Sequence, residues 1–597
     1  MTEGMHASED NHYHDGLPQN TDGAETAQAD LDFDDDSRYD FTQAMPVVQA
    51  SSGRHTATKR RLKKARTVTV AVISAALLIV ATLGATIVPW RGADVQGSAV
   101  FAAQVSRTQQ QSYCPQRMAL ADTASYGDSA FQVSEGNITS QALVAAAGSV
   151  ESAALVNLAG TQSTLLQSAS QQAASQQTQN DGSLSVASAS MNSNSLVASA
   201  KLADSSDGTG MFGSVASWAT QGDLSGLSAT QCVAAATQQR FVVPSTQTGW
   251  TQQLVIANPG STAAAVSLTA WGTSQQGALS LATAATVTVQ AQSETTVNLS
   301  AAANAQRGLV VDVDSHTVPV AAVVRSVSMD GLNPNGSDYV TASAAASTTQ
   351  VIPTVASLGT VTVALFSMDD AMVDVSWLTK SGRTQAQQVK VYSQQVTLVD
   401  LGAVPDGAYA LEATSDSAIT AQAIGTRDGG KQSDFAISVS QESARVFGVA
   451  LPGNLTATLV LSNSSDADIT TALTGYDASG KKVGTTTMKV AAGSAAVLDP
   501  AKLGTGAAIV VVSDSDAASS DGQTAGTADT TGTADKAGTT DATEAADEAE
   551  TGLHVAASIS QSDVSAASLQ GIAVIEGTSL DAATSLVTAS RDQRIIS

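Results

Sequence analysis

Two cysteines, Cys114 and Cys232, are all that the 597 residues contain, and there are only six histidines. A zinc centre of about four Cys, His or acid ligands is therefore hard to assemble, and a histidine proton shuttle has few places to sit. Aromatic residues make up 4% of the chain, which leaves little for stacking sugars or bases. Positive charge is short too: 28 Lys and Arg face 54 Asp and Glu, a formal net charge of −26. That balance repels phosphate backbones, which excludes nucleic-acid binding, and favours solubility. No G-x-x-x-x-G-K-[ST] phosphate loop, G-x-S-x-G elbow or D-x-[DN]-x-[DN]-G calcium loop occurs.

Long apolar runs are missing with one exception, Thr67–Val88, which carries no charge over about 22 residues, close to the roughly 20 that cross a bilayer as a helix. Lys59, Arg60, Arg61, Lys63, Lys64 and Arg66 precede it, and Trp90 and Arg91 follow. Basic residues stay on the cytoplasmic side of a spanning helix. The expectation is a single-pass membrane protein with a cytoplasmic N-terminus and an extracellular C-terminal part. A cleaved signal peptide is the rival, with small residues around Ala81–Ala85, but its n-region would exceed 60 residues. A buried core helix is disfavoured by the length and the one-sided charge.

Residues 1–66 form an acidic tail, poor in apolar residues, that ends in the basic cluster; its composition predicts disorder. His6, His12 and His14 lie there without cysteines, so a metal reading is weak, and the acidic-aromatic patch around Phe33, Tyr39 and Phe41 is a possible docking motif. The membrane segment covers 67–89 and a polar stem 90–112. Residues 113–240 read as a β region carrying both cysteines, with a Ser/Gln/Ala-rich low-complexity insertion at about 160–207. On the outer face of a membrane the two thiols are expected to oxidise to a disulfide; two separate buried thiols are the alternative.

Beyond Arg240 short alternating apolar runs, rich in Val, Thr and Leu and broken by Gly, Asn, Pro and Asp, signal antiparallel strands. The pattern recurs about every 100 residues, the size of an immunoglobulin-like sandwich. LVIANPG, VALFSMDD and LVLSNSSD each place a strand before a polar turn, the turns beginning at Asn258, Ser367 and Asn463. The expected fold class is thus mainly β: tandem immunoglobulin-like β-sandwich units at 241–350, 351–445 and 446–597, outside a single N-terminal transmembrane helix. The last is interrupted by a stretch at 514–551 with almost no bulky apolar residue, expected to be a disordered loop.

Cys114-Pro115, the run from Gly222 to Leu227 leading to Cys232, Trp250 ahead of LVIANPG, and the repeated units together resemble the DUF5719 family of actinobacterial envelope proteins. The likeness covers roughly 113–597 apart from the two insertions. The Asn-Pro-Gly turn is lost in the second and third units. The resemblance implies an envelope location and a β fold, and no catalytic residues.

Candidate chemistry is sparse. His316, after Asp312 and Asp314, reads as an exposed turn histidine, and His554 stands far from it in sequence. Asp369-Asp370 and Asp466/Asp468 fall in equivalent turns, with Asp406 and Asp477 elsewhere; solvated turn acids are favoured over calcium ligands. Trp218, Trp250, Trp271 and Trp377 suit sandwich cores. No catalytic, cofactor or metal residue is assigned, and no cofactor is expected. Three functions are weighed. The first is a non-catalytic envelope scaffold or binding protein, meeting an envelope protein or polysaccharide while Thr67–Val88 holds the membrane. The second is an enzyme or accessory subunit of cell-surface polysaccharide metabolism, and the third a regulator acting through the cytoplasmic tail. The first fits the missing chemistry best, with stacked sandwiches expected to project as a rod.

Overall fold

A computed structural model describes residues 100–106, 108–121, 132–168, 182–283, 285–303, 305–430, 432–453, 455–515, 552–562, 569–582 and 584–590. The tail 1–66, the apolar run Thr67–Val88, residues 90–99 of the stem and all but the edges of the 514–551 stretch lie outside these residues. Among the described residues no helix is long and apolar enough to cross a membrane.

The described chain is mainly antiparallel β-sheet, and it contains four repeats of one design rather than three. Unit two is representative. Its strands, in chain order, are Gln238–Val243, Trp250–Asn258, Ala264–Gly272, Thr286–Val289, Ser293–Asn298, Leu309–Asp314, Ala321–Asp330 and Asn333–Val340. The first, sixth, third and fourth lie side by side in one sheet; the fifth, second, seventh and eighth form the other. Unit one, from Gln109–Cys114 to Gly226–Gln231, has the same order, with the two-residue Gln167–Ser168 added outside its fifth strand and left out of the count. So does unit four, from Val446–Ala450 to Gly571–Glu576. In unit three the sixth and seventh strands are one continuous 21-residue strand, Ala408–Asp428, whose two halves serve the two sheets.

This order departs from the immunoglobulin constant-type arrangement, in which the first two strands share a sheet; here they lie in opposite sheets. A second correction concerns residues 160–207. Ser185–Ser190 and Leu196–Leu202 within them are the fifth and sixth strands of unit one. Ala and Ser have low contrast between faces, which hid the alternation, yet Val186, Ala198, Ala200 and Leu202 are buried. Residues 169–181 lie outside the described residues.

Period-two burial explains the strands. Along Ala264–Gly272 the residues Ala264, Val266, Leu268 and Ala270 turn into the core while Ala265 and Thr269 face out. Both sheets of unit two supply its core, with Val266, Leu268 and Val311 facing Leu254, Ile256 and Val324. The turn after the second strand is built alike in two units. Asn258 donates from Nδ2 to the carbonyls of Thr262 and Val289, and Asn463 does the same to Ala467 and Val490.

The units do not stack end to end. Each eighth strand is an edge strand, and three of them complete a neighbour's core. Phe435, Ile437 and Val439 of unit three enter the core of unit two. Ile572 and Val574 of unit four enter that of unit three, and Leu227 and Ala229 of unit one enter that of unit four. Tyr339, from the eighth strand of unit two, packs with Tyr113, Met118 and Leu224 of unit one. The four eighth strands therefore meet in a closed cycle, with unit one against both unit two and unit four. This ring replaces the expected rod. Val100–Ser106 pairs antiparallel with Thr584–Ser590, so the two ends of the described chain also lie together.

Candidate functional site

An edge strand presents main-chain N–H groups that no neighbouring strand accepts. In the ring these groups meet three buried carboxyls. Ala229 and Ile437 donate their N–H groups to Asp338 at 3.1 and 2.8 Å. Leu227 and Ile572 donate to Asp434 Oδ2 at 3.2 and 2.9 Å. Val439 donates to Glu576 at 3.3 Å. Each carboxyl thus joins its own eighth strand to a neighbour's, in place of a regular ladder. The fit is close: a methyl group on Gly226 or Gly336 would fall on Asp434.

Burial pushes all three acids up, because the charged form loses its water and the N–H donors only partly offset that loss. Asp338 and Asp434 lie well above the usual carboxylate range, and Glu576 is raised to about 7. The negative charge of Asp434 adds to the rise at Asp338, whereas Arg427 tempers that at Asp434. Asp434 Oδ1 has no hydrogen-bond partner among the described residues, as a neutral carboxyl tolerates.

Where the eighth strands end, a cavity of about 890 Å³ opens, lined in part by Gln231, Arg240, Thr341, Ser440, Gln441 and Glu576. Arg240 holds Asp312 with two bonds of 2.6 Å and lies over the rings of Trp271 and Phe366. A second cavity, of about 600 Å³, is lined in part by Gln350, Ser464 and His554. His554 Nε2 lies 3.1 Å from Ser464 Oγ. Burial lowers the imidazole to about 4, so it is neutral near pH 7. Ser464 also donates to the Gly552 carbonyl, at 3.3 Å.

The residues singled out from the sequence are scattered. Cys114 and Cys232 are joined in a disulfide that ties the end of the first strand of unit one to the segment leaving its eighth. The side chain of His316 is 66% exposed, at a turn with φ of 55°, and contacts Asp314 at 3.0 Å. It lies in neither cavity lining. Asp370 pairs with Lys390 at 3.2 Å and Asp468 with Lys489 at 2.7 Å, the same turn device in units three and four. The Ser393 N–H and then Lys390 hold the Asp370 carboxyl below the usual range, and Lys489 and then the Ala492 N–H do the same for Asp468. Asp477 caps its own turn through the N–H groups of Ser479 and Lys481. Among the described residues no group of three or more His, Cys, Asp or Glu could hold a metal ion. Trp271 and Trp377 are buried, and Trp218 and Trp250 pack against cores. The axial acids Asp338, Asp434 and Glu576 escape a motif search. Their one signal is a lone acid within an apolar strand, as in SDFAISV.

A family model described as a family of unknown function, DUF5719, matches residues 185–501, more than half of the chain. The matched span runs from the fifth strand of unit one to the short turn of helix Pro500–Leu503 in unit four. No curated protein matches the sequence.

Proposed function

The chain belongs to the DUF5719 family, whose description assigns no activity, and from that premise we propose a non-catalytic, membrane-anchored extracytoplasmic protein that binds or scaffolds a cell-envelope component. In this reading Thr67–Val88 is the anchor, residues 1–66 are cytoplasmic, and the ring is the part that meets its partner. The observation that carries it is the polar cavity at the point where four interlocked units converge. Interlocked units give a rigid frame, and clefts between units are common places for ligands. The disulfide between the only two cysteines supports a compartment where thiols oxidise. The uncharged run and its one-sided basic flank support the anchor.

Crosslinking intact cells with a membrane-impermeant reagent tests the reading. Capture of wall or envelope-assembly components on the ring is the expected result. Capture of cytoplasmic proteins alone, through residues 1–66, would overturn it.

A further inference from the structure

The three carboxyls at the ring axis all join units, but they are not equally secured. Asp338 accepts N–H groups from two other units, and so does Asp434. Glu576 accepts one, from Val439 of unit three, and at 3.3 Å that bond is the longest of the five. Asp338 and Asp434 are enclosed completely and line neither cavity. Glu576 keeps 5% exposure and stands in the wall of the larger cavity, with room for water beside it.

The charged groups around Glu576 are few. Gly226–Gln231 and Val446–Ala450 carry none. Ser433–Val439 carries Asp434, which bonds to Ile572 at the other end of the Gly571–Glu576 strand. Leu553–Gln561 carries His554, whose Nε2 lies against Ser464. The cavity wall adds Arg240, which is paired with Asp312, together with Asp314 and Glu442. Burial, rather than any of these charges, raises Glu576 to about 7, and the Val439 N–H only partly offsets it. The ionised side chain is therefore the form that gains most from reaching water.

We propose that the seam between units three and four is a proton-operated latch: protonated Glu576 bridges its strand to Val439, and the ionised carboxylate turns into the cavity, frees Val439 and reshapes the cavity wall. Opening stays local, because Gln441, two residues beyond Val439, holds unit four through three bonds of 2.9–3.0 Å to Val555 and Gly577. Asp338 and Asp434, with two inter-unit donors each and no cavity beside them, keep the other seams shut. The latch is closed below about pH 7 and open above it, since the closed form is the one that keeps the proton.

Hydrogen exchange of the full chain in detergent micelles at pH 6 and pH 8 tests the latch, with rates corrected for the intrinsic pH dependence of exchange and assigned to residues by electron-transfer fragmentation. Protection of the Val439 amide should fall about tenfold between the two, the factor by which a group raised from 4.5 to about 7 favours the open form over that range. Amides of Trp250–Asn258 in unit two, a strand that lines neither cavity, should keep their protection to within about threefold. Unchanged protection at Val439 overturns the proposal. An equal fall across Trp250–Asn258 also overturns it, because the whole ring would then be loosening. Both comparisons need only the unaltered protein, so they stand even if a variant does not fold. In folded Glu576→Gln the Val439 amide should lose its pH dependence; a fall as large as the parent's would assign the effect to another group and overturn the latch.

Discussion

Glu576 and His554 are both buried, and burial disfavours the charged form of each in the folded chain, but they respond to pH in opposite senses. Glu576 rises from 4.5 to about 7 on folding. Its contribution is fully present below 4.5 and is lost as pH climbs through about 7, because only the unfolded chain releases the proton at no cost. Two to three pKa units correspond to about 3 kcal/mol. His554 falls from 6.5 to about 4, so its contribution is present above 6.5 and disappears as pH drops through 4. Asp338 and Asp434, also raised, act in the same direction as Glu576. Glu576→Gln keeps a neutral hydrogen-bonding group and removes one titration. Urea unfolding between pH 4.5 and 8 should show the parent losing about 3 kcal/mol relative to this variant. Parallel profiles would show that Glu576 is not buried at the ring axis.

Among the elements, the eighth strands carry the most consequence. Ordinary sheets blunt such edges with charge or proline, whereas here the edges face one another and carboxyls occupy the gap. The disulfide belongs to the same seam, since Cys232 follows directly on the eighth strand of unit one. It closes a loop with a sequence separation of 118, worth about 4–5 kcal/mol on the chain-entropy account. Thiol titration of the denatured, unreduced protein should find no free thiol, and reduction should lower the unfolding midpoint. Two titratable thiols without reductant would remove the link. Exposed pairs such as Lys201–Glu151 contribute far less, because water and salt screen them.

At the scale of the molecule, exchange of eighth strands between cores makes the units thermodynamically inseparable. Removing Gly571–Glu576 takes Ile572 and Val574 out of unit three as well as Ala573 and Ile575 out of unit four. Calorimetry of the full chain should therefore give one cooperative transition for the four units. Four separable transitions, as for beads on a string, would contradict the interlock. The acids at the axis couple that transition to pH, so its midpoint should move with the profile described for Glu576.

Alternation of Val, Leu and Ile with Thr and Ser, punctuated at Asn258, Ser367 and Asn463, was enough to make the chain mainly β and to mark three units, since side-chain period follows from strand geometry alone. The presence of only two cysteines made their pairing the expected outcome. Unit one stayed hidden because strands such as Ser185–Ser190 and Leu196–Leu202 alternate Ala with Ser, whose hydropathies differ too little to show two faces. Tertiary structure alone decided the strand order, the closure of four units into a ring, and the place of Asp338, Asp434 and Glu576 at its axis. A lone acid in an apolar strand has no local partner to announce it. Its partners are N–H groups on other units, 99 to 207 residues away, and only folding brings the two together.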